Sequence, residues 1–252
     1  MSRPIVVVKI GGSVLTGRSG FARTADFLAA RVAADPRTAV VAVVSAELGV
    51  TDALLATARE FVETPDPAAL DLLWSTGELR STALLALALQ GRGVSAAGLN
   101  VHQAGLVKSD GPGRSQIRPL RVRALLADCD VVVVPGFLAR ERGDGIVSLG
   151  RGGSDLTAVL LAAGLGAVGC ELLKDVPGYF TADPKLEPGA LPIPALDYDR
   201  AIQMADDGCE LVQRDALVSA REHDLALTIR AIGTGPGTLI TTTHSHFAAA
   251  VA

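Results

Sequence analysis

The chain has 252 residues, 49% of them hydrophobic and 20% charged, with a formal net charge of −4 at pH 7. That is enough apolar material for one large domain or for two lobes sharing a cleft, and it excludes an intrinsically disordered chain. Acids and bases are interspersed with a slight acidic excess, which excludes the basic face that nucleic acid requires and points to a small-molecule partner.

The chain opens MSRPIVVVKIGGS, and Lys9 interrupts its apolar stretch too soon for a signal peptide or a membrane span. No membrane contact and a cytoplasmic location are therefore expected. IVVVKI (5–10) and AVVAVVS (39–45) are β-branched runs that predict strands buried on both faces of a parallel sheet, with a helix over ARTADFLAARVAA between them. TDALLATAREFVE predicts a helix with Thr51 and Asp52 as its capping residues. After the turn at TPDP come a long helical region, LDLLWS and GELRSTALLALALQ, and a short strand, VSAAGL. DVVVVPG (130–136) is a third buried strand, LTAVLLAAGLGA a helix, and AVGCELLKDV (167–176) the next strand. The proline-rich segment PGYFTADPKLEPGALPIPA predicts an ordered loop; two helices, DYDRAIQMADD and RDALVSAREHD, and the strand LALTIRAI follow it. Alternating strands and helices define an α/β fold with a mainly parallel sheet sandwiched by helices.

Cys129, Cys170 and Cys209 lie far apart, form no CxxC and read as buried thiols. His244 and His246 near the C-terminus are the one hint of a metal, and they read as part of a frayed end, so no metal site is assigned.

In open α/β sheets ligands sit beyond the carboxyl ends of the strands. Three glycine-bearing segments fall at such places: KIGGS, SAELGVTD and GRGGSD. Glycines let backbone approach an anion, and the free amides of a helix N-terminus donate to it. Lys9 stands one residue before the first glycine pair, where an ammonium facing the sheet interior is costly unless it emerges at a ligand. A cation there suits phosphoryl transfer, and since GxxxxGK[ST] is absent, the phosphate cradle must be of another kind.

These segments resemble the amino acid kinase family, most closely the catalytic domain of aspartokinases, over about residues 4–240. VVVKIGGSVL, VVSAELGVTDALL, STGELRSTALLALALQGRGVSAAGLNVHQAGLVKSD, GRGGSDLTAVLLAAGLGA and CELLKDVPGYFTADPK follow the family's motifs in order and spacing. The resemblance implies the amino acid kinase, or carbamate kinase-like, fold with two lobes around a cleft. It implies one catalytic domain over 1–243, with an acidic-substrate lobe over about 1–165, a nucleotide lobe over about 166–243 and a flexible tail at 244–252.

By the same resemblance Lys9 and Asp155 are catalytic, and Arg151 and Glu78 bind the α-carboxylate and ammonium of an amino acid whose carboxylates also meet Ser45 and Thr51. Gly11, Gly12, Ser13, Gly152 and Gly153 approach phosphate, while Asp175, Phe180 and Lys185 lie by the nucleotide. The implied reaction is phosphorylation of the side-chain carboxylate of L-aspartate by ATP with Mg²⁺, in a homodimer. The alternatives are a kinase for another small acidic amino acid or a carrier-linked carboxylate in a specialised pathway, and a catalytically inactive nucleotide-binding subunit.

Four positions depart from the family pattern: Lys174 for threonine, Phe180 for tyrosine, Lys185 for arginine, and Glu210 where a nucleotide-contacting lysine is usual. Lys174 is a candidate to supply the charge missing at Glu210. Glu47, where a small residue is usual, reads as a side chain pointing to water, with recognition of an extra substrate amino group as the alternative. The resemblance ends where regulatory ACT domains begin in aspartokinases, so inhibition by lysine or threonine is not expected.

Overall fold

The computed structural model describes residues 3–108, 116–141, 143–184 and 186–242. Its frame is an eight-stranded sheet. Four strands come from the first part of the chain: β1 (Ile5–Ile10), β2 (Ala39–Val44), β3 (Ala96–Gly98) and β6 (Val131–Pro135). The other four are β9 (Gly169–Leu173), β10 (Ala195–Asp197), β11 (Leu227–Arg230) and β12 (Thr238–Thr241), and the order is β10-β12-β11-β9-β1-β2-β6-β3. Every pairing is parallel except β11 with β12. β1 and β2 are buried at all six positions and β6 at all five, which is why they read as continuous apolar runs rather than as alternations.

One face of the sheet is covered by α1 (Gly17–Ala34) and α3 (Pro67–Gln90), the other by α6 (Gly153–Leu165), α7 (Tyr198–Asp206) and α8 (Arg214–Glu222). Helix α3 begins with Asp66 accepting from Ala69 N at 2.9 Å and Pro67 in its first turn, and it runs unbroken through Gly77. A Cβ on Gly77 would lie 3.0 Å from Ala46 Cβ and 3.1 Å from Val50 Cγ1, so the glycine lets α3 press against the loop that follows β2.

Helix α2 (Val50–Phe61) corrects the expected cap. Thr51 and Asp52 lie inside its first turn, and the N-cap is Gly49 with φ +81°. A small second sheet, in the order β5-β4-β7-β8, is formed by β4 (Leu106–Val107), β5 (Gln116–Ile117), β7 (Leu138–Arg140) and β8 (Ile146–Ser148). Short helices α4 (Val101–Ala104) and α5 (Leu120–Leu125) frame it. None of these elements is expected from the sequence pattern, because strands of two or three residues carry no readable period. The expected tail and its histidines lie outside the described residues. Among the described residues no helix is long and apolar enough to cross a membrane.

Candidate active site

Parallel register brings the chemistry to one edge of the sheet. Lys9 is the penultimate residue of β1, opposite Val43 of β2 and Leu172 of β9, so the ends of all three strands converge on it. Lys9 Nζ lies 2.9 Å from Asp155 Oδ1 in an ion pair, and Lys174 Nζ, just past the end of β9, donates to Asp155 Oδ2 at 2.8 Å. Asp155 sits in the first turn of α6, where the helix dipole favours an anion. Burial raises the pKa of this carboxyl, but the two ammonium groups together outweigh it and hold Asp155 below the usual carboxylate range. Burial, and then repulsion from Lys9, pull Lys174 below the ordinary lysine value. Two cations share one anion here. The surplus positive charge suits a site that receives phosphate.

Next to this cluster is a cavity of about 220 Å³ lined by Lys9, Ser45, Ala46, Thr51, Glu78, Phe137, Gly152, Gly153 and Ser154. Six residues assigned from sequence therefore line one cavity: Lys9, Ser45, Thr51, Glu78, Gly152 and Gly153. Ser45 Oγ donates to Ser154 Oγ at 3.0 Å. Glu78 is 3% exposed; its Oε1 accepts from Ala46 N at 3.3 Å, and Oε2 has no hydrogen-bond partner among the described residues. Burial pushes the Glu78 carboxyl up to about 7, partly offset by the Ala46 amide. A buried carboxylate with one idle oxygen suits a ligand cation.

The turn carrying Gly11, Gly12 and Ser13 adjoins Lys9: a Cβ on Gly11 would stand 3.7 Å from Lys9 Nζ, and one on Gly12 would strike Ala46 O at 2.4 Å. Arg151 is exposed on the turn leading into α6 and is not among the cavity-lining residues. Gly152 has φ +74°, and a Cβ there would overlap Gln213 Cγ at 1.5 Å.

A second cavity, of about 420 Å³, lies beyond β9 between the loop at 176–184 and that at 208–211. Its walls include Val176, Tyr179, Phe180, Met204, Cys209, Glu210 and Leu211. Phe180 is thus placed at a cavity, and Glu210 is exposed at the same one. Asp175 is exposed beside Lys174 and does not line it; Lys185 lies outside the described residues. Tyr179, which also lines this cavity, is buried, and its hydroxyl has no partner among the described residues. Lys174 is held at Asp155, not at Glu210, so whatever charge it supplies acts at the strand ends. Glu47 also departs from expectation: it does not point to water but pairs with Arg80 and accepts from Gly17 N at 2.9 Å.

Several residues of the site escape sequence reasoning, among them Ala46 and Ser154 at the first cavity. Phe137 lines the first cavity with φ +66°, an uncommon conformation for a bulky residue, and its ring meets Trp74 edge-on at 5.9 Å. Gln213 covers Gly152, and Tyr179 stands beside Phe180. The one local signal is the Pro135-Gly136 exit from β6, which leads directly into Phe137.

A helix N-terminus and two lysines at the strand ends, with one cavity bordering Lys9 and a larger one beyond β9, form an arrangement suited to phosphoryl transfer. The model of the amino acid kinase family matches residues 4–231, and the chain belongs to that family. It is 36% identical over 240 residues to an aspartokinase of Thermus thermophilus, an alignment spanning 94% of this chain and 59% of that protein. Among solved structures it resembles the aspartate kinase of Synechocystis, with a TM-score of 0.84 and 34% identity over 95% of this chain and 40% of the other. It also resembles E. coli aspartokinase III in complex with aspartate and ADP, with a TM-score of 0.81 and 27% identity over 95% of this chain and 65% of the other. The chain therefore spans about 40 to 65% of the length of these relatives.

Proposed function

We propose that the protein transfers the γ-phosphoryl group of ATP to the side-chain carboxylate of L-aspartate, giving 4-phospho-L-aspartate and ADP. The observation that carries this reading is the buried Lys9–Asp155–Lys174 cluster bordering the cavity lined by Ser45, Thr51 and Glu78. An aspartate side chain in water titrates at about 3.9 and is already ionised at neutral pH, so no general base is required. An acceptor oxygen attacks phosphorus while the bond to the ADP oxygen breaks. The obstacle is charge repulsion, and Lys9, Lys174 and the backbone amides at the start of α6 are placed to relieve it. Asp155 holds the two ammonium groups in place.

In this reading the idle Glu78 oxygen takes the substrate ammonium, and Arg151 closes over the α-carboxylate as a two-pronged donor. Phe180 and Tyr179 offer the wall for the nucleotide base. Mg²⁺ bound with the triphosphate would neutralise phosphate oxygens. Among the described residues no group of three or more His, Cys, Asp or Glu is arranged to hold a metal, so phosphates and water would supply most of its ligands.

The test is hydroxylamine trapping of the acyl phosphate with ATP, Mg²⁺ and a panel of small acids. Hydroxamate from aspartate is the expected result; hydroxamate only from another acid moves the substrate. Glu210 at the larger cavity favours one further reading, a nucleotide binder without turnover, which binding of ATP with no hydroxamate from any acid would establish.

A further inference from the structure

Glu47 carries a charge that the proposed reaction does not use, yet its side chain is only 12% exposed. It sits in the middle of the loop from β2 to α2, which supplies Ser45 and Ala46 to the acceptor cavity and leads into Thr51 in the first turn of α2. That loop is tied at almost every residue. Ser45 bonds Ser154, Ala46 N donates to Glu78 at 3.3 Å, and Leu48 N donates to Gly12 O at 3.1 Å. Those ties face the cavity and the glycine turn. On the outer side the loop is held by Glu47, whose one oxygen pairs with Arg80 of α3 and whose other accepts the Gly17 amide at the start of α1.

We propose that Glu47 and Arg80 form a latch that positions the acceptor loop against Glu78, making Glu47 a positioning residue for substrate binding; this rests on the kinase reading above. Glu78 and Arg80 are two residues apart on one helix and so point to different sides of it. Helix α3 thus grips the loop twice, through the Ala46 amide on the inside and the Glu47 carboxylate on the outside. An exposed ion pair alone would add little. This one is largely covered on the glutamate side and is reinforced by a helix N-terminal amide, which favours the anion. If the loop slips, Ala46 N leaves Glu78 Oε1 and Ser45 leaves Ser154, so both polar walls of the acceptor cavity shift together. Among the described residues the Lys9–Asp155–Lys174 cluster shares no hydrogen bond or ion pair with the latch, so phosphoryl chemistry is spared once substrate is bound.

The experiment compares Glu47→Ala, Arg80→Ala, the double variant and Glu47→Gln in two readouts on the full chain. In the hydroxamate assay Arg80→Ala is expected to raise the acceptor KM about tenfold, the loss of one charge-assisted hydrogen bond, and Glu47→Ala by at least as much, since it also frees the Gly17 amide. The kcat and the ATP KM are expected to stay within about twofold. The double variant should be no worse than Glu47→Ala alone, and Glu47→Gln, which keeps an acceptor for Gly17 N, should recover part of the loss. Amide hydrogen exchange across residues 45–50 should quicken in all three alanine variants. Unchanged acceptor KM in both singles, or losses that simply add in the double, would overturn the latch. If the unsubstituted protein traps no acyl phosphate from any acid, the kinase reading fails, and exchange alone decides: unchanged protection across 45–50 would then overturn the latch as well.

Discussion

The two sides of the strand edge handle buried charge in opposite ways. On the proposed phosphoryl side Lys9 and Lys174 both pair with Asp155, over 2.9 and 2.8 Å contacts, so the three charges are fixed before any ligand arrives and one positive charge is left over. On the proposed acceptor side Glu78 is buried with an idle oxygen and Arg151 is left exposed, so in the proposed reading the ammonium and carboxylate of the substrate become their partners. Charges meant to act on a transition state are best fixed in advance, because reorganising them during the reaction costs rate. Charges meant to select a substrate gain by waiting for it, since a ligand lacking the matching group leaves them unsatisfied.

The phosphoryl side offers the sharpest way to break this comparison. Lys9→Ala is expected to cut turnover by about a thousandfold, at the upper end for removing one preorganised donor. Asp155 keeps Lys174 as a partner, so the circular dichroism spectrum should be unchanged. A folded variant with substantial activity would mean that the cluster is structural only.

Lys174 gives the next largest effect. Lys174→Thr is expected to lower kcat about a hundredfold, and adding Glu210→Lys, a cation at the other cavity, should not restore it. A full rate in Lys174→Thr would reduce Lys174 to a counter-ion for Asp155. This residue also shows where sequence reading stops. Its identity marks a departure and suggests a compensating role, but its partner depends on the parallel register of β1 with β9 and on α6 docking across both. That information is spread over residues 9, 155 and 174 and appears in no local window.

The legible parts are those where local pattern and burial agree. The strands Ile5–Ile10, Ala39–Val44 and Val131–Pro135 are buried on both faces, so their composition announces them. The cavity residues Ser45, Thr51 and Glu78 are reachable only through the resemblance to the family's motifs. β10 and β12 are hidden among prolines and glycines, and the second sheet is made of strands too short to show a period. Glu47 misleads because its partners, Gly17 and Arg80, lie about 30 residues away on either side. An isolated acid in a glycine-bearing loop looks solvated until the helices are in place.

The acceptor side yields the smallest but most diagnostic effect, a pH dependence. Glu78 titrates at about 7 in the folded protein against an ordinary value of 4.5, with burial as the leading cause. Between those values the folded state holds a proton that the unfolded chain has released, so stability falls as pH rises from about 4.5 to about 7 and levels off above. Glu78→Gln removes that penalty. The variant should therefore be more stable than the parent at pH 8, by up to about 3 kcal/mol, with the gap closing toward pH 4.5 in urea melts. Substrate binding should run the other way: the ammonium needs the ionised carboxylate, so the parent's acceptor KM should drop severalfold as pH rises through about 7, and in Glu78→Gln it should be high and flat. Because the ligand cation favours ionisation, saturating acceptor should shift the midpoint to lower pH in the kcat profile. A parent whose acceptor KM is level across this range would show that Glu78 does not meet a cation, and the contrast between the preset phosphoryl side and the waiting acceptor side would be lost.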